Sequence, residues 1–167
     1  VEVMQQEKNV RNNKSTAFID VVEGKKKILV VASAPHPDIK ALRAIVDKNS
    51  NYEFILHIPG VEETETKNIQ PVNVDLAIFH QSPDKSGRTR DLFQRFATSK
   101  TSMLVVVGQQ TDLKAMTDGK MPLVFDQPPR QYDDVMPVIS PTFPYFLLSP
   151  EANSVFSGFP PVWVPFG

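Results

Sequence analysis

Four short apolar runs recur along the middle of the chain: "KILVVAS" (27–33), "YEFILHI" (52–58), "VDLAIFHQ" (74–81) and "SMLVVVG" (102–108). Each is only seven or eight residues long, too short for an ordinary helix, and lacks the apolar–polar alternation of a half-exposed strand. Such runs belong to parallel strands buried on both faces. Amphipathic stretches separate them. Asp38 is placed to cap a helix whose Ile39, Leu42, Ile45 and Val46 share one face, and Asn49-Ser50-Asn51 ends it. Residues 60–71 form a polar, acidic loop, "RTRDLFQRFATSK" (88–100) a second helix, and 111–118 a short third one. Strands and helices alternating in this way predict an α/β fold: a doubly wound, mostly parallel sheet with right-handed crossovers.

Either side of this pattern the character changes. Residues 1–14 are polar and offer little to bury, so they read as an arm. "STAFIDVVEG" (15–24) reads as a strand with no evident partner in the α/β pattern. A lone strand is not stable in water. It is expected to add to a sheet edge, to pair with a second copy of the chain, or to be the remnant of a preceding β-domain. The chain thus divides into an N-terminal arm and strand, 1–24, and an α/β domain, 25–167. Ten of its 15 prolines lie between Pro122 and Pro165, where Pro128-Pro129 and Pro160-Pro161 interrupt regular structure. Within that part "FPYFLLS" (143–149) predicts a strand. "SPEANSVFSG" (149–158) predicts a helix with a serine cap, proline in its first turn and a closing glycine. The ending on Trp163, Val164 and Phe166 is unusually apolar, so either the tail packs down or the domain continues beyond it. Starting at Val1 rather than Met, the sequence reads as a processed or excised piece.

Composition excludes several classes of function. The formal net charge is −1, which provides no positive field for nucleic acid, and Lys25-Lys26-Lys27 reads as a solvated lead-in to a strand. There is no cysteine, hence no disulfide, thiolate metal site or thiol nucleophile. No stretch is long and apolar enough to span a membrane, so membrane attachment would come only through other parts of a longer chain. The first strand-to-helix turn, Ser33-Ala34-Pro35-His36-Pro37-Asp38, lacks the glycines of a phosphate cradle, and its prolines lack N–H donors. The three histidines, His36, His57 and His80, have no zinc-motif spacing. No cofactor is implied. On the second helix, Leu92, Phe93 and Phe96 sit at core spacing, while Arg88, Arg90, Arg95 and Lys100 read as its solvated face.

One polar group stands out. His36 follows the first strand and His80 ends the third. In the flavodoxin-like order 2-1-3-4-5 those strands are neighbours at the switch point, where such sheets bind ligands beyond their carboxyl ends. His36, Asp38, His80 and Gln81 would converge there, joined by Gln109 and Gln110 after Gly108. The plainer alternative is that both histidines hydrogen-bond loop carbonyls and Asp38 only caps its helix. His57 lies within a strand and reads as structural.

The segments "KILVVASAPHPDIKALRAIVDKNSNYEFILHI", "VDLAIFHQSP" and "LVVVGQQTDL" carry a likeness to a known group. The chain from Lys25 to Gly167 resembles the class I glutamine amidotransferase-like domain of large bacterial proteins. In those proteins a β-sandwich or von Willebrand factor A-like region precedes the domain, commonly behind N-terminal membrane helices. The resemblance implies that 15–24 is the last strand of such a sandwich, that relatives continue past "PFG", and a cell-envelope setting. Working amidotransferases carry a nucleophilic cysteine in G-x-C-x-G and a His-x-Glu pair beyond it. Here the matching stretch is Gly108-Gln109-Gln110-Thr111-Asp112, with Gln110 about where the nucleophile belongs, and no histidine follows His80. The implied function is a non-catalytic interaction or scaffolding domain, partnered by other proteins, by other domains of its own polypeptide, or by a second copy through 15–24. The alternative is a small-ligand or metal site at His36, Asp38, His80 and Gln81. A hydrolase using Ser33, Ser82 or Thr111 with a histidine base is a third reading.

Overall fold

Residues 24–61, 64, 68–118, 121, 131–140, 142 and 149–166 are described by a computed structural model. The strand expected at 15–24 and that at 143–149 lie outside the described residues, save for Gly24 and Ser149.

The four apolar runs become β1 (Lys26–Ala32), β2 (Tyr52–His57), β3 (Leu76–His80) and β4 (Ser102–Val106). They form one parallel sheet in the order β2-β1-β3-β4. This matches the first four strands of the expected order. Burial on two faces explains the unbroken apolar runs of the central strands β1 and β3. The edge strands β2 and β4, expected to be buried likewise, are only partly covered, with Leu104 of β4 49% exposed. On β1, Leu29 and Val31 point to one side and Val30 and Ala32 to the other, and all four are fully buried. On β3, Ala77 and Phe79 share the side of Leu29, whereas Ile78 shares that of Val30.

The helices α1 (Pro37–Val46), α2 (Arg90–Ala97) and α3 (Leu113–Asp118) cover these faces. Ile39 of α1 packs with Val30 and Ile78, while Leu92, Phe93 and Phe96 of α2 and Met116 of α3 pack with Leu29 and Phe79. Phe79 meets Phe93 and Phe96 edge-on, at ring-centroid distances of 5.1 and 5.7 Å. Burying each of these rings contributes roughly 2–3 kcal/mol. From β1 the chain crosses one face to β2, and from β3 it crosses the opposite face to β4. The switch point therefore falls between β1 and β3, whose last residues, Ala32 and His80, are in register.

Three expectations need correction. Ile45, expected on the buried face of the first helix, is 65% exposed, because the face that meets the sheet is centred on Ile39 and Val46. The arginines of the second helix are not merely solvated. Arg90 pairs with Asp112 at 2.6 Å and Arg95 donates to the Ile69 carbonyl at 3.1 Å. Arg88 precedes α2 and donates to Ser33 O, Pro59 O and Ser86 Oγ, tying together the loops after β1, β2 and β3. Finally, the proline-rich part contains an antiparallel pair that its composition did not suggest, β5 (Gln131–Val135) with β6 (Val162–Phe166). The sequence "QYDDV" is too polar to read as a strand, and its partner contains Pro165. Between them α4 (Pro150–Ser157) forms as its signals predict, with Ser149 Oγ accepting from Ala152 N and Gly158 closing it.

Candidate functional site

His36 is held by its neighbours. A residue before proline is pushed towards extended backbone, and His36, followed by Pro37, has φ −147° and ψ 147°. Proline fits the first helical position because the N–H it lacks has no intrahelical partner there. Pro37 takes that position, so the cap falls on His36 rather than on Asp38. The His36 Nδ1 accepts from Asp38 N at 3.3 Å. This corrects the expectation that Asp38 caps the helix. Released from capping, the Asp38 carboxylate turns to the histidines.

His80 reaches the same place by strand parity. Two residues beyond Ile78, it faces the α1 side of the sheet. It is 2% exposed, and its Nε2 lies 3.0 Å from Asp38 Oδ2. The His36 Nδ1 lies 3.3 Å from that same oxygen, and the two imidazole rings are 4.7 Å apart between centroids. One ligand atom from each of His36, Asp38 and His80 falls within 4.8 Å of the other two. Both histidines thus face a carboxylate rather than loop carbonyls.

Gln81 follows at φ 50°, a left-handed conformation that turns the chain out of the sheet. Its backbone N–H donates to Val106 O, and its side-chain Oε1 accepts from Gln110 N at 3.2 Å. Gly108 leaves room for it: a Cβ there would stand 2.7 Å from Gln81 Cδ. Gln109 and Gln110 continue the same rim. Together with Ser33 to His36 these groups border a cleft of about 620 Å³. Its far wall is aromatic: Tyr132 of β5 and Trp163 of β6 are stacked at 4.4 Å, 29° from parallel. All six residues singled out in the sequence, His36, Asp38, His80, Gln81, Gln109 and Gln110, therefore border one cleft. The aromatic wall was not anticipated. Its only sequence signal was the odd apolar ending around Trp163.

Two of the three hydroxyls considered as nucleophiles, those of Ser82 and Thr111, serve the scaffold, whereas Ser33 borders the cleft. Ser82 Oγ donates to Thr89 Oγ1 at 2.7 Å, and Thr111 Oγ1 accepts from Gly108 N at 3.0 Å. Thr89 Oγ1 in turn donates to Asp84 Oδ1 at 2.6 Å. Asp84 is 3% exposed and also accepts from Thr89 N and from the backbone and hydroxyl of Ser86. Burial pushes the Asp84 carboxyl up, but these hydrogen bonds together outweigh it and leave the pKa below the ordinary 3.8. At Asp112 burial likewise raises, while the Ala115 N–H and the Arg90 guanidinium lower, with the same net direction.

Comparison with family models, with curated proteins and with solved structures finds no match.

Proposed function

We propose that this chain is a non-catalytic binding domain on an amidotransferase-like framework, serving as an interaction or scaffolding module of a larger bacterial protein. We further propose that its recognition site is the cleft at the β1–β3 switch point. One observation carries this reading: the polar groups that converge there are paired with one another beside a stacked aromatic wall, while the nearby hydroxyls of Ser82 and Thr111 are held in scaffold contacts. A cleft with few convergent polar groups and an apolar wall suits a small, partly planar polar ligand. The chain contains no cysteine, so the thiol chemistry of amidotransferases has no nucleophile here.

Trp163 is the single tryptophan of the chain and borders the cleft, so its fluorescence reports directly on occupancy. A panel of small carboxylates, amides and sugars is expected to include compounds that shift Trp163 emission and raise the melting temperature, with both effects lost in Gln81→Ala. Turnover of glutamine or of activated amide and ester substrates would overturn the non-catalytic reading. A panel that moves neither signal would overturn the cleft as the recognition site.

A further inference from the structure

We infer that His36, Asp38 and His80 form a binding site for one divalent first-row transition ion such as Zn²⁺, Co²⁺ or Ni²⁺. This rests on the cleft being the recognition site and specifies what it holds. Two imidazole nitrogens and one carboxylate oxygen are a borderline donor set, which favours these ions over Mg²⁺ and Ca²⁺. The spacing agrees. Donor atoms about 2.1 Å from a shared ion stand about 3.0–3.4 Å apart in octahedral or tetrahedral geometry. The two separations from Asp38 Oδ2, 3.0 and 3.3 Å, already meet this. The histidine-to-histidine edge is the long one, within 4.8 Å, and closes by a movement of the exposed His36 of roughly 1.5 Å.

The hydrogen bonding at His36 supports the same conclusion. Its Nδ1 accepts from Asp38 N, and an imidazole nitrogen that accepts carries no proton. The same nitrogen also stands 3.3 Å from Asp38 Oδ2, two electron-rich atoms side by side. Such a contact is repulsive until a proton or a cation lies between the atoms. A cation at Nδ1 takes the lone pair that now accepts from Asp38 N, so binding exchanges the cap bond for the coordinate bond. The positive end of α1 opposes a cation at this place, and the Asp38 carboxylate in the first turn offsets it. Preorganisation adds to the case. His80 is fixed in the sheet, Asp38 in a helical turn, and His36 between Pro35 and Pro37. Three protein donors leave coordination positions for water or another ligand, and the adjoining cleft has room for one. With two neutral imidazoles and one carboxylate, a bound divalent ion leaves a net charge of +1, so the loaded site favours an anionic oxygen donor.

The test uses the untagged chain, stripped with a chelator and titrated with Zn²⁺, Co²⁺, Ni²⁺, Mg²⁺ and Ca²⁺ separately. Calorimetry gives stoichiometry, and Co²⁺ absorption and quenching of Trp163 give location. His36→Asn retains a capping acceptor, and Asp38→Asn changes an exposed side chain, so both variants are expected to fold. One Zn²⁺ per chain is expected, weakened by more than about 100-fold in each variant, since even partners outside the coordination shell cost about 10–100-fold. Mg²⁺ and Ca²⁺ are expected to give no saturable binding. Absence of one-to-one Zn²⁺ binding to the wild type, or equal binding by both variants, overturns the inference. If organic probes still shift Trp163 in metal-free protein, the cleft reading survives that failure; if neither metals nor probes do, both fall.

Discussion

Two aspartates stand beside helix starts at the carboxyl edge of this sheet, and they are held in opposite ways. Asp84 is 3% exposed and surrounded by donors: the Thr89 N–H and hydroxyl, and the Ser86 N–H and hydroxyl. Asp38 has a side chain 56% exposed and faces two imidazoles across an open cleft. A carboxylate saturated by its own loop fixes backbone and has little left for a ligand. One shared by two histidines beside solvent keeps an open side towards the cleft. The difference separates a carboxylate that fixes the scaffold from the one we propose to bind a ligand. The first sits in a loop and the second in the first turn of α1, at the same sheet edge.

The largest effect that would break this contrast is expected at Asp84. Asp84→Ala leaves the Thr89 and Ser86 N–H groups and both their hydroxyls without this acceptor, and urea unfolding is expected to show a loss of about 3 kcal/mol. A loss no greater than that of an exposed substitution would put the two aspartates in one class. The pH dependence sharpens the point. The Asp84 pKa is below 3.8 in the fold, so its contribution is complete above that value and disappears as pH falls through the lower folded pKa. Wild-type stability is therefore expected to decline as pH falls below about 4, and Asp84→Asn to start lower and decline less steeply. An intermediate effect is expected from Gly108→Ala. Its methyl group would displace the Gln81 side chain and its bond to Gln110 N, costing about 1–2 kcal/mol and altering Trp163 emission. Smallest is Asp38→Asn in metal-free protein, expected to change unfolding free energy by less than about 0.5 kcal/mol. The same substitution is expected to weaken Zn²⁺ binding by more than about 100-fold.

Much of this edge was legible from spacing. The ends of β1 and β3 follow from uninterrupted apolar runs, the order expected of a flavodoxin-like sheet makes them neighbours, and parity from Ile78 puts His80 on the α1 side. The cap was misread although its signal was present: Pro37 marks the first helical position, which assigns the cap to His36. Arg88 was less accessible. Its acceptors are carbonyls of Ser33 and Pro59, residues far apart in sequence, and backbone acceptors leave no residue-type pattern. The β5–β6 ribbon had no periodic signal because β5 is largely exposed and polar.

Residue type and spacing alone carried the alternating α/β pattern, the exclusion of thiol chemistry and the placing of two histidines at strand ends. Those features depend on periodicity and residue type, which are local properties. Only the tertiary structure decided that Asp38 faces both rings, that Arg88 ties three loops together, and that Tyr132 and Trp163 wall the cleft. Each of these is a meeting of residues distant in the chain or a choice among rotamers. Such choices are settled by which neighbours arrive in space, and one sequence alone does not carry that information.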